Sequence, residues 1–159
     1  MHRKGSLYTG VYQYTDDCWT TDQIINEMLL VRRHNHIGYY VSDSYRWYIG
    51  IVDQKPEVLQ IACCKRSKNS HSLQPVFIQN IKVFVIGAIA PVTEDNYNIL
   101  AFIHYISALT NDKVQDYPYL ATYALQNDWS DSTFAPYMKD ISRHGKRHLH
   151  AILKIMNKH

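Results

Sequence analysis

The sequence is short of nearly everything that announces a familiar chemistry. Its 159 residues include six glycines and five prolines, arranged without a nucleophile elbow, a P-loop or a dinucleotide fingerprint. Three cysteines, Cys18, Cys63 and Cys64, make an odd count with no metal-ligand spacing. A reduced, cytoplasmic compartment is the simplest expectation. On a strand the adjacent Cys63 and Cys64 point to opposite faces, so they cannot serve one site. No apolar run approaches the roughly 20 residues a membrane helix needs. The basic start, Met1-His2-Arg3-Lys4-Gly5, is not followed by an apolar signal core. Net charge is only +3, which does not support nucleic-acid binding. Neither a repeat, a low-complexity stretch nor a linker divides the chain.

What is present is an ordinary globular composition, 46% apolar and 19% charged, long enough to bury a core. Thirteen tyrosines are many for this length, and most are expected half-buried on sheet faces with the hydroxyl reaching water. The expectation is one mixed α/β domain over residues 1–145, a central sheet flanked by helices. A basic amphipathic helix over 146–159 packs on it.

The chain is organised around Ile81 to Pro91, an apolar, β-branched run that suits a strand covered on both faces. That strand begins as early as Val76, and Pro91 ends it because proline cannot donate to a ladder. Thr93 is placed to cap the next helix, and Glu94 and Asp95 suit the positive end of its dipole. A strand feeding a helix N-terminus presents backbone N–H groups where many folds hold an anion.

Before it, Leu7 to Tyr14 is a short strand candidate. Thr20 with Gln23 forms a capping-box pattern that opens a helix over about 21–33. Alternation at Ile37, Tyr39 and Val41, a Ser42-Asp43-Ser44 turn, and alternation again at Trp47, Ile49 and Ile51 predict a hairpin. Val58 to Cys64 is a third strand, and Lys65 to Ser72 a basic loop, either a solvated tip or a phosphate grip. After it come a helix over about 94–110, a strand over Tyr117 to Leu125 and a helix opened by Ser130-Asp131-Ser132 and interrupted at Gly145. In the tail Leu149, Ile152, Leu153 and Met156 make one stripe. Its other face is basic and could dock a protein partner. His34 with His36, and His144 with His148, have spacings that can share a metal, but no third ligand or zinc-protease pattern accompanies either pair, so no metal site is assigned.

This order of elements resembles the GNAT superfamily of N-acyltransferases over most of the chain. The resemblance implies an acyl group moving from an acyl-CoA or acyl-carrier-protein thioester to an amine acceptor. On that likeness Ala90, Val92, Thr93 and Asn96 hold the donor and Asn127 orders the site. Tyr137, in Phe134-Ala135-Pro136-Tyr137-Met138-Lys139, looks like the family's tyrosine that protonates the departing thiolate. Val92 to Tyr97 departs from the family's glycine-rich phosphate loop, having two carboxylates and no glycine. Phe84 to Pro91 also looks like a segment of toxin-activating lysine acyltransferases, but the catalytic histidine and aspartate of that branch are missing. The chain is similar as well to small acyltransferase-fold proteins of tailed phages. Ile81 to Asp112 is similar, further, to the strand–Pro–acidic–helix segment of phosphotransferase-system IIA domains. This sequence has no Pro-His pair, so that second resemblance implies a regulatory relative that is not phosphorylated.

Overall fold

The computed structural model of the chain describes residues 20–64 and 72–158, together with the backbone of 3–8 and 11–14. Cys18 and residues 65–71 of the basic loop lie outside the described residues. In order, the elements are β1 (Arg3–Tyr8), β2 (Val11–Tyr14), α1 (Thr21–Ile25) running into a π-helical turn (Asn26–Leu30), β3 (Val31–Arg32), β4 (Asn35–His36) and β5 (Gly38–Tyr40). Then come α2 (Ser42–Tyr48), β6 (Gln60–Cys63), β7 (Gln74–Ile78), β8 (Ile81–Gly87) and α3 (Tyr97–Ser107). A 3-10 turn (Asn111–Asp116), α4 (Tyr117–Gln126), α5 (Asp131–Phe134), a second 3-10 turn (Ala135–Asp140) and α6 (Arg143–Met156) complete it. The fold is mixed α/β. Among the described residues no helix is long and apolar enough to cross a membrane.

Strand order in the main sheet is β5-β6-β8-β7. β6 and β8 are parallel, with Ile61 opposite Val85, while the two edge pairs are antiparallel. Side-chain alternation splits the core across this sheet. Ile61, Cys63, Val83 and Val85 face α1 and the π turn, where Ile24, Met28 and Leu29 meet them. Tyr39 and Ala62 face the other way, onto Leu100, Phe102, Ile103 and Ile106 of α3, with Leu120 of α4 and Ile152 of α6 behind. Cys63, the last residue of β6, is buried, and Cys64, in the turn just past it, is exposed.

Several sequence expectations are corrected. In place of one long strand from Val76 to Pro91 stands the β7–β8 hairpin, turned at Gln79 and Asn80, both at positive φ, and it ends at Gly87, four residues before Pro91. The predicted Ser42–Ser44 turn and the start of the predicted Trp47–Ile51 strand are the helix α2, and Ile49 to Ile51 form the turn that follows it. Ser44 and Tyr45 are buried on it, and the Ser44 hydroxyl accepts from the Gln60 N–H at 2.8 Å. β5 therefore pairs with β6, Tyr39 opposite Ala62. The predicted strand over Tyr117 to Leu125 is the helix α4. Pro118 fits a first helical turn but not a ladder, and buried Leu120, Ala121 and Ala124 follow helical spacing. The aromatic content of this stretch pointed to a strand, and tertiary packing overrode it.

The capping box forms as expected: Gln23 N–H donates to Thr20 Oγ1 at 3.2 Å and Thr20 N–H to Gln23 Oε1 at 2.8 Å. Its helix turns π-helical at Asn26 and ends at Leu30, short of Arg33. Gly145 does not interrupt a helix. It sits in the first turn of α6, where a Cβ would stand 2.7 Å from Ser107 Oγ, so glycine lets α6 approach the end of α3.

Candidate functional site

The connection from β8 to α3 decides what the predicted donor loop can do. Ala90, Val92, Thr93 and Asn96 all lie on it, brought together by chain continuity. Thr93 N–H donates to Asn96 Oδ1 at 2.7 Å and Asn96 N–H donates to Thr93 Oγ1 at 3.2 Å. Asn96 Nδ2 also donates to the Pro91 carbonyl at 2.9 Å. The reciprocal pair has the form of a capping box, and the Tyr97 N–H donates to the Thr93 carbonyl at 3.0 Å, so the turn leads into α3 at Tyr97. Two backbone N–H groups expected to hold an anion thus already have side-chain acceptors.

Glu94 turns away from that loop. It accepts from the His36 backbone N–H, and its Oε1 lies 2.7 Å from His36 Nδ1. The His36 backbone and ring together hold the Glu94 carboxyl below its usual range. The His36 ring in turn lies flat on Tyr97, with centroids 3.5 Å apart and planes 1° from parallel. His36 is positioned by the β3–β4 ribbon, whose tip residues Arg33 and His34 both have positive φ. A tip in that conformation usually carries glycine or asparagine, so the ribbon stores strain at this place. The turn also separates His34 from His36, and among the described residues no group of three or more His, Cys, Asp or Glu side chains is placed to hold a metal.

Beside the His36–Tyr97 stack opens a cleft of about 310 Å³. The π turn, β5, α2 and the first residues of α3 wall it, and its ring-bearing lining is Tyr39, Tyr40, Trp47, Tyr48, Tyr97 and His36. Asn26 and Asn98 supply amide groups at the same wall. Tyr40 meets Trp47 edge-on, at 5.7 Å between centroids. Asn98 is held in place: Tyr123 O–H donates to its Oδ1 at 2.7 Å, and its Nδ2 donates to Asn127 Oδ1 at 3.4 Å. Asn127, predicted from sequence to order a site, therefore touches a residue of this cleft. Tyr137 sits on the second 3-10 turn, half-buried against the larger core, and does not line the cleft. Tyr97, Trp47 and Asn26 were missed in the sequence. Their only signal was the high count of aromatic residues, which says nothing of where the rings converge.

A second cleft, also about 310 Å³, opens beyond His104. Tyr39 reaches between the two: its hydroxyl accepts from the Ile89 N–H at 3.2 Å and lies 2.8 Å from His104 Nδ1. A neutral imidazole can meet this hydroxyl either by accepting its proton at a bare Nδ1 or by donating from Nδ1–H. Burial holds His104 down at about 4 from its ordinary 6.5. The sign of the linkage follows. As pH falls below 6.5 the unfolded chain takes up a proton that the folded one refuses, so stability declines until about pH 4 and then levels. The whole effect is about 3 kcal/mol. In His104→Asn, whose Oδ1 can still accept from Tyr39, the difference in urea midpoint between pH 7 and pH 4 is expected to narrow. An unchanged difference would remove His104 from the acid response.

Against protein-family models, curated proteins and solved structures, this chain shows no match, so its assignment rests on the geometry of the site itself.

Proposed function

We propose that the chain is a non-enzymatic, ligand-binding regulatory domain acting in the cytoplasm, and that its ligand is a small planar ring held in the cleft beside Tyr97. The observation that carries this is the convergence of ring-bearing side chains from four separate elements around one cavity of about 310 Å³. That volume is at the lower end of small-molecule sites, which run from roughly 300 to 1,000 Å³. Ring faces offer stacking, and the amides of Asn26 and Asn98 offer hydrogen bonds to a ring edge. The similarity of Ile81 to Asp112 to IIA domains is in keeping with a regulatory relative that lacks a phosphorylatable Pro-His pair. The exposed basic face of α6, with Lys146, Arg147, His150 and Lys154, is a docking surface for a protein partner on the same proposal.

Acyl transfer is the second reading, and the contact between Asn127 and Asn98 favours it. The internal bonds of Thr93 and Asn96 weigh against it, since a donor would have to displace them.

A thermal-shift and fluorescence titration with nucleosides, aromatic acids and acyl-CoAs tests both. A ring ligand is expected to raise the melting temperature and to change the emission assigned to Trp47 through Trp47→Phe. Tyr97→Ala should weaken it by about 1–3 kcal/mol, the usual worth of one stacking face. Stabilisation by acyl-CoA, with turnover sensitive to Tyr137→Phe, would replace the proposal by acyl transfer. Silence with every ring compound at millimolar concentration would end it.

A further inference from the structure

Far from the aromatic cleft, the end of α3 and the start of α6 bring three donor atoms together. His144 Nε2 lies 2.7 Å from the Leu109 carbonyl oxygen, His148 Nε2 lies 3.1 Å from the same oxygen, and the two Nε2 atoms are 3.0 Å apart. No assignment of protons satisfies all three contacts. With both Nε2 atoms protonated, two N–H groups crowd each other on one carbonyl. With one protonated, its N–H can be shared between the carbonyl and the other nitrogen, but the bare Nε2 still faces the carbonyl lone pairs, and with both bare three lone pairs face one another. A cation placed over the triangle resolves the conflict, because every one of the three atoms then donates a lone pair.

We propose that His144 Nε2, His148 Nε2 and the Leu109 carbonyl form a three-point site for a borderline divalent transition metal of the zinc–nickel–copper class. The dimensions fit. Metal–nitrogen bonds of about 2.1 Å at right angles put neighbouring donors about 3.0 Å apart, which is the face of an octahedron. Imidazole donors select this class over calcium and magnesium, which want carboxylate oxygens. The outer contacts fit as well. His148 Nδ1 is hydrogen-bonded to the Tyr117 hydroxyl, and Nδ1–H donating to that oxygen leaves Nε2 bare to bind, the usual device behind a metal-bound histidine. Leu109 follows directly on the C-terminal end of α3, whose partial negative charge favours a cation. Arg143, Lys146 and Arg147 on α6 oppose it, so the site binds weakly for its class.

His148 is buried and His144 is exposed, which makes His144 the safe position to change. The full chain without an affinity tag is titrated with nickel chloride and with zinc chloride by calorimetry, beside His144→Gln and, as a control, His34→Gln. Saturable binding is expected, with a rise in melting temperature because the cation ties α3 to α6. His144→Gln should lower the affinity by about 10–100-fold with unchanged circular dichroism, and His34→Gln should match the parent. Nickel should also broaden the ring-proton resonances of His144 and His148 first. The proposal is overturned if the parent shows no saturable binding, if His144→Gln binds as well as the parent, or if other histidines broaden first.

Discussion

Gly38→Ala is expected to cost about 3 kcal/mol or more, a large share of the roughly 5–15 kcal/mol that holds a domain folded. A Cβ at Gly38 would stand 2.1 Å from the Leu29 carbonyl oxygen and 2.6 Å from that of Ala62. Both obstacles are backbone. One belongs to the π turn and the other to the neighbouring strand β6, so neither can swing aside as a side chain would. Relief requires β5 to move away from β6 or the π turn to lift from the sheet, and either opens the smaller core around Met28 and Leu29. Gly50→Ala is the matched control. Gly50 has φ of 86° and nothing within 4 Å of an added Cβ, so its cost is conformational only, about 1–2 kcal/mol. Urea midpoints for the two variants should differ clearly. Equal midpoints would mean that the close approach at Gly38 does not set the position of β5.

Asp116→Asn is expected to lose about 3–5 kcal/mol, by a different route. Asp116 is buried at the end of the first 3-10 turn and collects three donors. Arg46 Nε and Nη2 reach it at 3.1 and 3.3 Å, and the Tyr105 hydroxyl at 2.6 Å. An asparagine has the same shape but presents an N–H pair to part of that ring of donors. The Arg46 charge, only 16% exposed, then keeps only the exposed Asp43 carboxylate at 3.9 Å as its counter-ion. Adding Arg46→Met to Asp116→Asn removes the orphaned charge and should recover part of the loss. A strictly additive pair would show that the two residues act independently. The consequence reaches the cleft, because Arg46 lies on α2 beside Trp47 and Tyr48, two of its lining residues. Ring binding should weaken in the single variant before the chain unfolds.

Chemistry was less legible in the sequence than structure was. Thr93 was read as a helix cap and, with Asn96, as a residue holding a donor, but the two side chains accept from each other's backbone. Glu94 was read as a charge opposing an anion, and it turns out to hold His36 across 58 residues of chain. His36 was weighed only for its spacing to His34, with no metal assigned, and its partners prove to be Glu94 and Tyr97. His144 and His148 share a helix face by spacing alone, but the Leu109 carbonyl between them comes from another helix end.

The sequence by itself determined the elements whose signal is local. The Thr20–Gln23 cap, the apolar β-branched run that forms β8 and the apolar stripes of α3 and α6 each depend on residues within a few positions of one another. Tertiary structure decided the rest. Whether Ser42–Tyr48 and Tyr117–Gln126 became strand or helix depended on what they packed against, since short aromatic segments serve both. The turn at Gln79-Asn80 carries no glycine to announce it, and the strand pairing across it holds the backbone in that conformation. The parallel pairing of β6 with β8, and a cleft drawn from residues between Asn26 and Ala101, exist only once the chain is folded. A local pattern can specify a helix face, but which rings meet depends on how distant faces are brought together.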